Sequence, residues 1–486
     1  MHHIDPKKLA RRAFLQRASQ MAALGTAMPL GLTFAAMGDA AAQSSGNDDY
    51  KALVCLFLFG GNDDPHTFVP HDLASYLKYS AIRGGSGEAG GGIALRRSDQ
   101  ASTVMTVDQV ANGRVYAMNP LMRDLWTLQN EGKVALQQNV GPLIVPLTRA
   151  QYFDDPKKFP RPGNLFSHDS QVATWSSFEP TGREAGWVGR IGDLMMAQNP
   201  TSFFTTVSVS GSMTMISGRS ARTLNVGNGV NAAPIHGLSS NGPMLFGSSS
   251  VTAALEQMAK QARTHVLEND LTSLNKRASD AVEQLNKVYV RSNPAPSTLT
   301  ASGMRKRLGS VARMIAARSS TSARRQVFFV LLGGFDVHDN LLVRQAALLR
   351  DVNAGVFAFH RHMEQLGLGD KVTLFTASDF GRTMASNGDG TDHGWGGNHM
   401  IVGGAVKGKE RYYGKTPVIS VSDVATGDGF DGHVGRGRLL PTTSVEQYAA
   451  TLAKWFGVPA SQIPEILPNL RNFGGTDYPI DLGFMR

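Results

Sequence analysis

Two stretches of the chain concentrate side chains that chemistry uses. The denser is Asp389-Gly390-Thr391-Asp392-His393-Gly394-Trp395-Gly396-Gly397-Asn398-His399, where two histidines and two acids sit on glycine-rich backbone ahead of an apolar Met400-Ile401-Val402 run. Imidazole and carboxylate are ligands for Zn²⁺ and other divalent ions, and glycine lets the backbone curl closely around a small ion. His393 and His399 are therefore candidate metal ligands, and His338, two residues beyond Asp336, is either a further nitrogen ligand or the group that orients that carboxylate. Neutral imidazoles and ionised carboxylates at neutral pH suit one or two divalent metals. The spacing matches no self-identifying zinc motif, and each Asp or His taken singly serves equally well as a cap or a loop tie. The second stretch is Pro162-Gly163-Asn164-Leu165-Phe166-Ser167-His168-Asp169-Ser170-Gln171-Val172-Ala173-Thr174-Trp175. Here Ser167 or Asp169 can cap a helix, and a hydroxyl at a helix N-terminus can face an anionic substrate or a metal. Ser167 is thus a candidate nucleophile and His168 a ligand or positioning group, with Arg382 able to neutralise charge on a phosphoryl or sulfuryl oxygen. The alternative is a plain cap with Trp175 in the core.

Residues so far apart in sequence meet only if the fold delivers them to one place. Lys51 to Phe59 is apolar beyond its first residue and ends in Gly60-Gly61-Asn62-Asp63. Gln326 to Leu332 runs into Gly333-Gly334-Phe335-Asp336-Val337-His338, and Lys371 to Thr376 into Ala377-Ser378-Asp379-Phe380-Gly381-Arg382-Thr383. Such runs read as buried parallel strands, each handing over to an acidic loop. In open α/β sheets ligands bind at these strand ends, so Asp63, Asp336 and Asp379 are expected to converge as metal ligands. Asn340 to Leu366 has a helical period and a stop at Gly367, which makes a βαβ crossover. Val251 to Val290 is helical with a light break near Asn269-Asp270, and Ala301 to Ala317 starts another helix; the region reads as a helical insertion or lid, or as peripheral packing helices. Residues 201–250 suggest short strands and long loops, and Ser444 to Phe456 a further helix.

Composition narrows the classes. With 486 residues, 42% hydrophobic and 18% charged, the chain can bury a large core and is neither disordered nor collagenous. Its single Cys55 lies within an apolar strand and is expected to be a buried small hydrophobe. Residues 1–42 combine Arg11-Arg12-Ala13-Phe14-Leu15-Gln16, an interrupted apolar stretch and the triplet Ala40-Ala41-Ala42, the pattern of a twin-arginine signal peptide. The segment carries +3 of the net +9, and the remaining +6 comes with no aromatic-interleaved basic stripe, so nucleic acid is not an expected partner. The apolar stretch is too interrupted for a membrane span. A dinucleotide glycine fingerprint and a cysteine cluster are both absent, which sets aside a redox-cofactor enzyme.

Taken together, Phe59-Gly60-Gly61-Asn62-Asp63, Ser167-His168, Gly333 to His338, Ala377 to Thr383, Asp392 to His399, Gly437 to Tyr448 and the twin-arginine leader resemble the exported DUF1501 family, linked to the alkaline phosphatase and sulfatase-like superfamily. The resemblance implies an alkaline phosphatase-like three-layer α/β sandwich with a mostly parallel central sheet. It occupies residues 43–486 as one domain, with a helix-rich insertion at about 251–320. It further implies that Asp63, Asp336 and Asp379 are acidic ligands, that His393 or His399 is the distal histidine ligand, and that Ser167 is the nucleophile. Two positions depart from well-characterised phosphatases: Asp379 is followed by Phe380 where they have His, and the residue four beyond Asp336 is Asn340 where a His is expected. One metal, a shifted ligand set and a scaffold without catalysis stay open. The function expected is an exported metal-dependent hydrolase of phosphate or sulfate esters, periplasmic or secreted, with the twin-arginine export machinery as partner. The alternative is a non-catalytic or weakly catalytic exported binding or assembly protein on the same scaffold. Nothing in the sequence points to an oligomeric state. Replacing Arg11 and Arg12 together by Lys is expected to leave the full-length chain in the cytoplasm of its host, read by cell fractionation; export at the wild-type level would contradict a twin-arginine leader.

Overall fold

Lys51–Phe59 (β1) is apolar on both of its alternating faces, so both must be covered, and the strand lies inside a sheet with helices above and below. The structure is a computed structural model that describes residues 49–179, 181–226, 244–291, 295–301, 303–425 and 427–486. The leader assigned to residues 1–42 falls outside these. After β1 the described strands are β2 (Phe68–Pro70), β3 (Tyr116–Met118), β4 (Val134–Gly141), β5 (Thr206–Ser208), β6 (Leu224–Asn225), β7 (Arg325–Gly333), β8 (Val372–Ser378), β9 (Arg382–Ser386), β10 (Thr391–His393), β11 (Gly397–Val402) and β12 (Thr443–Ser444). Eight of them form one sheet in the order β12-β4-β11-β8-β1-β7-β5-β6. Only β11 runs antiparallel to its neighbours, β4 and β8; the other pairings are parallel.

The two faces of β1 divide the core. Ala52, Val54, Leu56 and Leu58 join a cluster with Leu308, Val311, Val352, Val356 and Phe359, on the helices Gly303–Ala316 and Leu341–Gln365. Leu53, Cys55 and Phe57 join the opposite cluster with Trp175, Trp187, Ile191, Tyr448 and Leu452, on His168–Ser177, Trp187–Met195 and Val445–Phe456. This is the three-layer α/β sandwich with a mostly parallel sheet. Each fully buried aliphatic or aromatic side chain adds roughly 1.5–3 kcal/mol of transfer free energy, so the period of Leu349, Val352, Val356, Phe359 and Met363 is what holds the long helix to the sheet. Cys55 is buried and free, with Sγ 3.6 Å from Met215 Sδ.

Helix ends follow local chemistry. Val445–Phe456 opens on a capping box between Ser444 and Gln447 and closes on Gly457 at φ 104°. The break expected near Asn269 lies earlier, between Ser249–Lys260 and Val266–Arg291. Asn269 marks it from inside the second helix, its Oδ1 accepting from Arg263 N at 3.3 Å. Within the segment read as an insertion, Gly303–Ala316 belongs to the sandwich itself, burying Met304, Leu308, Val311 and Ile315. On the preceding pair of helices, Val251, Leu255 and Met258 of the first and Val266, Leu267 and Leu271 of the second are exposed. Among the described residues no helix is long and apolar enough to cross a membrane.

Register aligns the strand ends that matter. Phe59 is level with Gly333 and Leu58 with Ser378, so the loops opening at Gly60, Gly334 and Asp379 start from one edge of the sheet. The reversed β11 begins at that same edge, Gly397 standing opposite Val140 near the end of β4. Gly60 makes the crossing workable: it sits at φ 115°, and a Cβ there would lie 2.3 Å from Asp336 N. Gly60→Ala is expected to cost about 1–3 kcal/mol of stability in urea unfolding, through strain and overlap. A change below about 0.5 kcal/mol would contradict this close approach.

Candidate metal centre

The strand-end loops interlock before any ligand chemistry is considered. Phe335 N donates to Phe59 O at 3.2 Å, Thr391 N to Val337 O at 3.1 Å, and Leu341 N to Asp389 O at 2.9 Å. A Cβ at Gly390 would meet the His338 carbonyl carbon at 2.2 Å, so glycine is what lets these two loops touch. Buried Arg382 clamps the assembly, donating through Nε to Thr391 Oγ1 at 3.1 Å and through Nη1 to Gly60 O at 3.0 Å and Asp336 Oδ1 at 2.8 Å. Burial alone would raise the Asp336 carboxyl, but the Arg382 guanidinium outweighs it and holds the group below its ordinary value.

His168 opens the helix His168–Ser177, reached through a turn in which Asn164 and Phe166 take φ of 51° and 69°. A left-handed conformation is rare for a bulky residue such as phenylalanine. The turn aims the Phe166 carbonyl at His393, whose Nδ1 lies 2.8 Å away. On the other side His168 Nδ1 is 2.7 Å from Asp379 Oδ2. A carbonyl and a carboxylate both accept, so both Nδ1 atoms carry the hydrogen and both Nε2 atoms present lone pairs. Those two Nε2 atoms face each other at 3.1 Å. Asp336 Oδ1 completes a triangle, 3.4 Å from His168 Nε2 and 3.5 Å from His393 Nε2. Ligand atoms bonded tetrahedrally to zinc at about 2.0–2.1 Å stand about 3.3 Å apart, so these spacings fit one face of such a site. His168, Asp336 and His393 are thus a group able to hold a metal ion. The Asp379 hydrogen bond raises the His168 pKa against the effect of burial, whereas burial lowers that of His393 despite the Phe166 carbonyl.

The remaining sequence candidates fall around this triangle. His338 stands beside it, its Nε2 2.9 Å from His393 Nε2 and 3.0 Å from Asp336 Oδ1, and its Nδ1 3.4 Å from Asp392 Oδ1. Asp379 is wholly buried and orients His168; its other oxygen accepts from Gly60 N at 3.0 Å. Asp63, expected as a ligand, is instead a buried counter-ion. It meets Arg83 at 3.0 Å, Thr391 Oγ1 at 2.9 Å and His66 N at 2.9 Å, because the turn after Gly61 folds it down into the helix Asp64–Thr67 as its cap. Burial pulls its pKa upward, but Arg83 prevails and the carboxylate stays ionised. His399, the other distal-histidine candidate, lies inside β11 away from the triangle. Its ring packs on Trp175 and Tyr448, its Nδ1 is 3.3 Å from Thr376 Oγ1, and burial pulls its pKa down to about 3. Ser167 occupies the N-cap position beside His168 without a side-chain cap hydrogen bond. Arg382 spends its donors on the protein, so it positions Asp336 and Thr391 and is not directed at a substrate.

Several parts of the site escaped sequence reasoning: the roles of Arg83, Thr391 and the Phe166 carbonyl, and the packing role of Phe380. Phe380 fills the position where a histidine was expected, and its ring packs 4.8 Å from that of His168 and 4.9 Å from that of His393, an apolar floor under both imidazoles.

Residues 50–467 match the family described as "Protein of unknown function (DUF1501)". The chain belongs to the DUF1501 family. No match was found among curated proteins. Solved structures similar to this DUF1501 chain include the PsFucS1 sulfatase from Pseudoalteromonas sp., at 10% identity and TM-score 0.35, covering 94% of this chain and 77% of that one. A Bacteroides thetaiotaomicron protein, BT33494S-sulf, matches at 12% identity and TM-score 0.30, over 86% and 76% of the two chains. The soluble domain of lipooligosaccharide phosphoethanolamine transferase A from Neisseria meningitidis matches at 8% identity and TM-score 0.29, over 91% and 95%. At these scores the likeness carries no residue role into the DUF1501 chain.

The placement of His399 has a pH signature. Its pKa is about 3 when folded against an ordinary 6.5, so as pH falls the unfolded chain takes up a proton that the folded protein refuses. Stability from this group is whole above pH 6.5 and is lost as pH falls toward 3. Between about pH 5.5 and 4, the unfolding free energy of the DUF1501 protein should fall more steeply than that of His399→Gln, by about 1.4 kcal/mol per pH unit. Equal slopes in urea unfolding would contradict a buried neutral imidazole.

Proposed function

We propose that this DUF1501 protein is a metal-dependent hydrolase of phosphate or sulfate esters, working in the periplasm or outside the cell after export. The observation that carries the reading is the pair of imidazole Nε2 lone pairs facing each other at 3.1 Å with Asp336 Oδ1 at 3.4 and 3.5 Å. Two lone pairs so close repel unless a proton or a metal cation lies between them, and a third, anionic donor at tetrahedral spacing favours the metal. Two imidazoles and one carboxylate are the three-ligand donor set of catalytic zinc sites such as His₂Glu, here with His338 Nε2 at their edge. When bound, a divalent ion supplies Lewis-acid polarisation of the ester and neutralisation of its charge.

The chain's own groups divide the remaining work. His168, Asp336 and His393 hold the ion; Asp379 and the Phe166 carbonyl fix the two imidazole tautomers. Arg382 holds Asp336 in place from beneath. Ser167 is the nucleophile in this reading. Its hydroxyl oxygen forms the bond to phosphorus or sulfur as the ester oxygen departs, and the hydroxyl proton ends on the leaving alcohol. Water then cleaves the seryl ester, restores the hydroxyl and releases phosphate or sulfate.

His168→Ala, Asp336→Asn and His393→Ala should each lower kcat/KM on a panel of aryl phosphates and sulfates by about a hundredfold or more, and chelation should do the same to the wild type. Ser167→Ala should abolish the burst phase and the trapped seryl adduct. A metal-replete wild type inert on the whole panel contradicts the hydrolase reading. Full turnover in Ser167→Ala contradicts the covalent route alone.

A further inference from the structure

Beside the ligand triangle stand two guanidinium groups that the chemistry above does not use. Arg344, in the first turns of Leu341–Gln365, pairs with Asp339 and places Nη2 3.3 Å from the Asp336 carbonyl oxygen. Arg436 Nη1 lies 2.7 Å from Asp392 Oδ2, on the carboxylate whose other oxygen is 3.4 Å from His338 Nδ1. Each is thus one acidic residue away from His338 at the edge of the triangle. Both are water-facing, with side chains 45% and 49% exposed, whereas Arg382 is fully buried. Exposed ion pairs of this kind are weak, so either guanidinium can leave its carboxylate for an incoming anion at little cost. A phosphate or sulfate group offers more acceptor oxygens to the planar fork and makes the better partner.

The backbone is built to present Arg436 in particular. It takes φ 53° between Gly435 at 101° and Gly437 at 70°, a run of left-handed residues in which an arginine is the costly member. The loop is pinned to β9 by Met384 N to Gly437 O at 3.1 Å and Ala385 N to Arg436 O at 3.2 Å. A Cβ at Gly437 would lie 2.4 Å from Met384 Cβ, so the fit is close. Arg438, two residues on, turns inward. Its Nε donates to His393 O at 3.0 Å and its guanidinium stacks 4.7 Å over Phe166, tying the loop to both ends of the His393 hydrogen bond. One arginine of the loop therefore holds the site and the other, two residues earlier, faces water beside Asp392.

We infer that the substrate carries a second anionic group, taken by Arg436 and Arg344 while the ester group is held at the His168–Asp336–His393 triangle. This rests on the proposed metal-dependent reading and narrows it to esters with two anionic groups, such as bisphosphorylated or multiply sulfated molecules. A substrate with one anionic group leaves the two arginines on Asp339 and Asp392 and gains nothing from them.

Equilibrium binding separates this claim from turnover. Calorimetric titration of the zinc-loaded full-length protein with trimethylene bisphosphonate and with propylphosphonate should show the bisphosphonate bound at least about tenfold tighter. In Arg436→Gln and in the Arg344→Gln, Arg436→Gln double variant the ratio should collapse to about twofold, with propylphosphonate affinity unchanged. Because a bisphosphonate can also chelate the ion, the variants decide the matter. A ratio retained in the double variant, or no ratio in the wild type, overturns the inference. Absence of ester hydrolysis alongside the expected binding pattern would instead overturn the hydrolase reading and leave the two-anion site standing.

Discussion

Two imidazole nitrogens with their lone pairs aimed at each other across 3.1 Å are the constraint around which this end of the protein is built. Left alone they repel, and the fold spends several unusual features on keeping them there. Asp379 is fully buried with its charge committed to His168, Phe166 is held in a left-handed conformation to offer its carbonyl to His393, and the Phe380 ring sits beneath both. Buried charge and strained backbone persist where the surroundings over-determine them, and here all of them serve one geometry.

The sandwich supplies what that geometry needs. Parallel β1, β7 and β8 end in register, which puts three loops at one edge, and β11, the one reversed strand among those described in this sheet, follows His393 at the same edge from the opposite chain direction. One reversed strand also explains the different fates of the two histidines in the glycine-rich segment. His393 precedes β11 and stays at the rim; His399, two residues past its start, is carried into the core. Beneath the rim a second layer of charge, Asp63 with Arg83 and Arg382 with Thr391, links the first strand's loop to β10 without taking part in ligation.

Much of the architecture was legible in the chain, because apolar runs ending in Gly-Gly or Ser-Asp state both burial and direction. The strands Lys51–Phe59 and Arg325–Gly333, the long helix Leu341–Gln365 and the capped helix Val445–Phe456 all stand where hydrophobic period and end signals put them. The expected meeting of Asp336 and Asp379 at one sheet edge was legible for the same reason, whereas His393 stood only as an alternative to His399 in the glycine-rich segment. What sequence could not separate was role among residues of one type. Asp63, Asp336 and Asp379 each follow a buried strand, yet one neutralises Arg83, one joins the ligand triangle and one orients an imidazole. Those roles depend on partners 20, 46 and 211 residues away, at Arg83, Arg382 and His168, which no local spacing reveals. Backbone groups such as the Phe166 carbonyl carry no signature in sequence at all.

The central claim is that His168, Asp336 and His393 hold one divalent ion. X-ray absorption of the purified full-length protein after zinc loading tests it most directly. The account predicts one ion per chain, bound only to nitrogen and oxygen at about 2.0–2.1 Å, with a clear imidazole contribution that falls in both His168→Ala and His393→Ala. A protein that retains no zinc, or a signal unchanged by both substitutions, would contradict it.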